Sequence, residues 1–254
     1  MESGRYEGHI DPGWWIINGP NGGYIAAILL RALTAEVDDL VRAPRSLTIH
    51  YLRPPAEGPV DIHTVKEREG RTLTTATARL FQDGKLIAIA IGAFAATRTG
   101  FEFVDRKMPS LPPPEKCQKL REKHPAAVEL QHRYDSRLGT SDEPGAAHGR
   151  LAGYIRFEEP RIVDALAVAA FTDSFPPAVF TRAPAGAALG GVPTIDLTIH
   201  FRARLPLSGA TPLDRCVVQF TSSAAHEGFV EEESEVWSES GVLLAQSRQL
   251  ALVG

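Results

Sequence analysis

The chain of 254 residues is 43% hydrophobic and 23% charged, with 22 Gly and 19 Pro, which is enough apolar material for one large domain or two small ones. A formal net charge of −4 argues against a phosphate-backbone binder, so nucleic acid is not an expected partner. The opening MESGRYEGHIDPG lacks a basic patch followed by an apolar segment, and no run approaches the ~18 apolar residues of a membrane span, so the expectation is a cytoplasmic protein with no membrane insertion.

The first predicted helix is NGGYIAAILLRAL, Asn21 to Leu33. A polar and glycine start is followed by good helix formers that are apolar nearly all round, the pattern of a helix wrapped by a sheet. Next, Leu47, Ile49 and Tyr51 alternate with Thr48 and His50, a period-two strand stopped by Pro54 and Pro55. A β-rich stretch from Val60 to Phe81 turns at Asp83-Gly84 and returns through LIAIAIGAFA, a strong hairpin signal. The segment FVDRKMPSLPPPEKCQKLREKHPAA is rich in proline and charge and reads as a surface linker. VELQHRYDSRL and GRLAGYIRFEE then read as strands, and DALAVAAFTD, Asp164 to Asp173, as a helix with Asp164 as N-cap. The strand TIDLTIHF and a hairpin turning at Ser240-Gly241 complete the chain.

These elements repeat. LTIHYLRP, Leu47 to Pro54, recurs as LTIHFRARLP, Leu197 to Pro206, at an offset of 150, and Gly84 faces Gly241 at 157. The drift of 7 fits one loop insertion. Helix then antiparallel strands, twice, makes an α+β duplication. The expected division is an N-terminal unit at 1–100, a linker at 101–125 and a C-terminal unit at 126–254.

With that order, the chain resembles the double hotdog acyl-CoA thioesterases of the acyl-CoA thioesterase II (TesB-like) type. The resemblance implies two tandem hotdog units, each an antiparallel sheet curled around a central helix, and a homodimer of such chains. It also implies an acyl-CoA substrate, no cofactor and no metal. The family carries its chemistry on an Asp near the second central helix, a Thr at the start of the following strand and a Gln in the last strand. Here FTDSFPPAVF supplies Asp173, GVPTIDLTIHF supplies Thr194 and GVLLAQSRQLAL supplies Gln249. Across the repeat these positions fall opposite Gly23, Pro44 and Gly92, so the constellation belongs to the second copy alone.

Thioester hydrolysis needs a water held and partly deprotonated, and a place for negative charge on the carbonyl oxygen. Asp173 suits the general base or water-orienting carboxylate, with Thr194 and Gln249 fixing water and carboxylate. Backbone N–H groups at Gly22 and Gly23, after Asn21, are candidates for binding the substrate oxygen. Each residue has a structural alternative: Asp173 as a turn former, Thr194 as a strand start, and Gly22 and Gly23 as a tightly packed helix start. Gln249 is the most pointed, because a buried amide costs about 1–3 kcal/mol unless it finds partners.

Other features read as structural. His50 and His200 occupy equivalent strand positions and read as face-lining residues, and Trp14 and Trp15, with Ile16 and Ile17, as core or interface with an acyl tunnel as the alternative. The run Glu231 to Glu235 reads as a solvated strand or interface edge. Cys117 and Cys216 form no C-x-x-C pair and read as idle thiols. There is no G-x-S-x-G, no P-loop and no H-E-x-x-H. Hotdog dehydratases place a His near the helix, and neither predicted helix has one, which favours hydrolysis. The reading from a different class is a non-catalytic protein that binds acyl-CoA without turnover.

Overall fold

The structure is a computed structural model that describes residues 3–123, 128–184 and 190–253. In the first half, β1 (Ser3–Ile10), α1 (Gly22–Val37), β2 (Ala43–Tyr51), β3 (Gly58–Glu69), β4 (Leu73–Gln82) and β5 (Lys85–Ala95) follow in order. The second half holds β6 (Gln118–Lys119), α2 (Leu120–Lys123), α3 (Leu130–Arg133), β7 (Arg137–Ser141), β8 (Gly149–Ile155), α4 (Ala165–Phe171) and β9 (Thr194–Phe201). It ends with β10 (Cys216–Ser222), β11 (Ala225–His226), β12 (Phe229–Ser238) and β13 (Leu243–Leu252). All strands join one 13-stranded sheet in the order β1-β3-β4-β5-β2-β9-β13-β12-β10-β8-β7-β6, with β11 beside β12. Every described pairing between these strands is antiparallel. This is the double hotdog architecture, with α1 and α4 as the two central helices.

The two halves meet where β2 pairs with β9, and Thr48 stands opposite Thr198. Their hydroxyls lie 3.1 Å apart, so residues related by the 150-residue offset touch at the centre of the pairing. Period-two alternation turns Leu47, Ile49, Leu197 and Ile199 inward, all fully buried. They join α1 and α4 in one core running through both halves. His50 and His200 point away from it and are exposed.

Both helix starts follow from capping chemistry. The Asn21 side chain accepts the N–H of Tyr24, and Asp164 accepts that of Ala167. Asp83 and Gly84 both take positive φ in the β4–β5 turn, as a two-residue hairpin loop requires.

Two expectations are corrected, and one further strand carries no clear sequence signal. Ser3–Ile10 is a strand at one edge of the sheet; it was hidden because its sequence, SGRYEGHI, carries little apolar alternation. VELQHRYDSRL is a helical turn at Leu130–Arg133 before β7 begins at Arg137, not one strand. The run Glu231–Glu235 is neither a solvated strand nor an edge: β12 lies between β13 and β10, and Glu231, Glu232 and Glu235 are all buried.

Residues 96–113 carry no helix or strand. Met108 and Leu111 nevertheless pack on Val217, Trp237 and Leu243, so the connection covers part of the sheet's outer face. Farther on, the linker segment includes β6 and α2, and its residues 124–127 lie outside the described residues. Among the described residues no helix is long and apolar enough to cross a membrane.

Candidate active site

The two central helices approach each other where α1 begins and α4 ends. Close approach there depends on Gly23: a Cβ at this position would lie 2.5 Å from the Ala170 carbonyl oxygen, which no side chain tolerates. Asp173 lies two residues beyond α4, and its carboxylate meets the first turn of α1. Its Oδ2 accepts the Gly23 N–H at 3.0 Å and the Asn21 side-chain amide at 3.0 Å. The same Asn21 Nδ2 donates to the Asp173 backbone carbonyl at 2.6 Å. Helix-start N–H groups are otherwise unpaired and favour negative charge, so this is a natural seat for a carboxylate. Tyr51 supports the turn from below by donating its hydroxyl to the Gly22 carbonyl at 2.9 Å.

Gln249 reaches this carboxylate from β13. Inward-facing Ala245, Ser247, Gln249 and Ala251 alternate along that strand, so the carboxamide is aimed at the helices. Its Nε2 donates to Asp173 Oδ1 at 3.4 Å, a long bond, and to Glu232 Oε1 at 2.8 Å. Its Oε1 accepts the Thr194 hydroxyl at 3.0 Å. The structure therefore links Asp173, Gln249 and Thr194 in one hydrogen-bonded chain, with Thr194 joined to Asp173 through the amide.

Burial pushes the Asp173 carboxyl up to about 6, and the N–H of Gly23 and the Gln249 amide oppose that rise. Burial likewise pushes Glu232 up to about 8, against the Ala178 N–H and with the Asp173 charge nearby adding to the rise. Asp173 itself is only half-buried. An acceptor of this strength can be ionised near neutral pH while still taking a proton from water.

The sequence did not show Glu232 as part of this chain. The signal was present in the hairpin: pairing back from the Ser240-Gly241 turn sets Glu232 directly opposite Gln249. Gly23 is placed differently from its expected use, since its N–H goes to Asp173 Oδ2 in this structure. Trp14 and Trp15 are half-buried and pack against the core, Trp14 stacked on Tyr24 at 4.8 Å between ring centroids, whereas Ile16 and Ile17 are exposed. Cys216 is buried and Cys117 half-buried.

Comparison with known proteins agrees with the fold. The acyl-CoA thioesterase N-terminal domain family matches residues 11–95, and the acyl-CoA thioesterase C-terminal domain family matches residues 114–253. A conserved hot dog fold protein of unknown function from Alicyclobacillus acidocaldarius superposes with a TM-score of 0.88 at 25% identity, covering 98% of this chain and 93% of that one. A putative thioesterase II from Thermobifida fusca gives a TM-score of 0.84 at 29% identity over 98% and 92%. An acyl-CoA thioesterase II from Mycobacterium marinum shares the fold, with a TM-score of 0.76 at 19% identity over 98% and 93%. No curated protein matches in sequence. Fold and comparisons together define a double hotdog thioester hydrolase. The chain belongs to the acyl-CoA thioesterase family.

Proposed function

We propose that this protein hydrolyses fatty acyl-CoA to free acid and CoA, with Asp173, Thr194 and Gln249 as the reacting constellation. What supports the reading is the hydrogen-bonded chain that joins a half-buried carboxylate to a buried carboxamide and a hydroxyl. Asp173 takes a proton from water as the water oxygen attacks the thioester carbon. The carbonyl electrons move onto oxygen and return as the carbon–sulfur bond breaks, and the CoA sulfur leaves and takes up the proton. Gln249 and Thr194 hold the water and the carboxylate in line.

The first turn of α1 is where we place the stabilised negative charge. Gly22 and Gly23 remain the candidate donors to the substrate oxygen, on the ground that this helix start already holds the negatively charged Asp173 Oδ2. A carbonyl oxygen using the Gly23 N–H would compete with Asp173 for it. The reading carries with it a homodimer of double hotdog chains, checked by light scattering.

Release of free CoA thiol from acyl-CoAs running from acetyl to palmitoyl tests the activity, with Asp173→Asn as the control. Turnover that collapses in the variant while acyl-CoA affinity persists supports the assignment. Tight binding with no thiol released at any chain length would instead identify a non-catalytic acyl-CoA binding protein.

A further inference from the structure

The inward face of the β12–β13 hairpin differs from its counterpart in the first half. In β4–β5 the pairs facing α1 are Ala76 with Gly92 and Ala78 with Ala90, three of them buried alanines. In β12–β13 the corresponding pairs are Glu232 with Gln249 and Ser234 with Ser247. A buried carboxyl has replaced a methyl group, and burying it costs free energy unless it is fully partnered.

We infer that Glu232 is a positioning residue of the hydrolytic site: its carboxyl fixes which way the Gln249 carboxamide faces. This rests on the assignment of Gln249 given above. The oxygen and nitrogen of a carboxamide are nearly equal in shape, so its neighbours decide the orientation. Thr194 cannot decide it, because a hydroxyl donates or accepts equally well. Asp173 contributes only the 3.4 Å contact. Glu232 has the decisive geometry, with Oε1 2.8 Å from Gln249 Nε2 and Oε2 held at 2.5 Å by the Ala178 N–H. When ionised, Glu232 accepts with both oxygens, and Ala178 ties the carboxyl to the chain segment just beyond Asp173. With Glu232 in place the amide NH₂ is turned toward Asp173 and the amide oxygen toward Thr194.

Glu232→Gln tests this, because it keeps the shape and replaces one acceptor by a donor that must oppose either Gln249 or Ala178. We expect kcat to fall by about tenfold to a hundredfold, with KM within about twofold. In a Gln249→Ala background the same substitution should change kcat by less than about twofold, since nothing remains to orient. An equal loss in both backgrounds, or no loss in either, overturns the inference while leaving the thioesterase assignment intact. An unsubstituted protein that cleaves no acyl-CoA overturns both. A second measurement needs no variant: the two Gln249 side-chain N–H protons should exchange among the slowest of the side-chain amides, and rapid exchange rejects the role.

Discussion

Gly23 and Asp173, 150 residues apart in the chain, are joined by a 3.0 Å hydrogen bond from the glycine N–H to the carboxylate. One copy contributes the helix start and the other the acid, so the site exists only where the copies meet.

Two neighbouring glycines should therefore fail differently. Gly23→Ala drives a Cβ into the Ala170 carbonyl, 2.5 Å away, and should cost about 1–3 kcal/mol or more of stability as the helices separate. At Gly22 a Cβ would lie 2.9 Å from Asp173 Oδ2, so Gly22→Ala should displace the acid and lower kcat more than it lowers the melting temperature. Thermal unfolding and kinetics of the pair read this directly.

The rate should follow Asp173. Its carboxyl is pushed up to about 6, chiefly by burial, and the base acts only when ionised. The kcat/KM profile should rise with pH and level off above that value, and Asp173→Asn should remove the limb along with at least about a hundredfold of activity. A profile flat from pH 5 to 8 in the unsubstituted protein, on a scale set by that ~6 midpoint, would contradict the assignment.

The same shifts tie stability to pH with a definite sign. Both acids hold their protons longer in the folded state than in the unfolded chain, so folding binds protons and is favoured at low pH. The contribution of Asp173 is present below its ordinary value of 3.8 and lost as pH rises through about 6. That of Glu232 is present below 4.5 and lost as pH rises through about 8. Relative to the unsubstituted protein, the melting temperature of Asp173→Asn should gain across the lower window and that of Glu232→Gln across the upper one.

Thr194 is tested by paired substitutions. Thr194→Ser keeps the hydroxyl that donates to Gln249 Oε1 at 3.0 Å, whereas Thr194→Val leaves that oxygen without its donor. Serine should retain activity within about threefold and valine should lose about tenfold or more, as read by steady-state kcat.

Away from the site, Asp135 is the centre of an ionic cluster, 5% exposed, with Arg215 at 2.6 Å, Arg137 at 3.0 Å and Arg156 at 3.4 Å. The arginine hydrogen bonds hold its carboxyl well below the usual range, outweighing burial. Its contribution is thus present above the ordinary carboxylate value and lost only in strong acid. Asp135→Asn leaves three partly buried guanidinium groups without their carboxylate and should destabilise by about 2–4 kcal/mol, with kcat unchanged at a temperature where the variant remains folded.

The repeat, the α+β order, both capped central helices and both hairpins were legible in the chain, because local periodicity and turn chemistry encode them: Asn21, Asp164 and the Asp83-Gly84 turn act within a few residues of themselves. The family motif brought Asp173, Thr194 and Gln249 together as candidates. Tertiary structure alone decided who touches whom. Glu232 looked like one charge in a solvated run, and only the strand order, which buries β12 between β13 and β10, turned it inward against Gln249. The Gly23 N–H looked free for substrate, and only the packing of α4 on α1 gave it to Asp173. Sequence fixes backbone geometry over short range, whereas the partner of a buried polar group is set by elements as far as 150 residues away, and hydrogen-bond satisfaction is decided there.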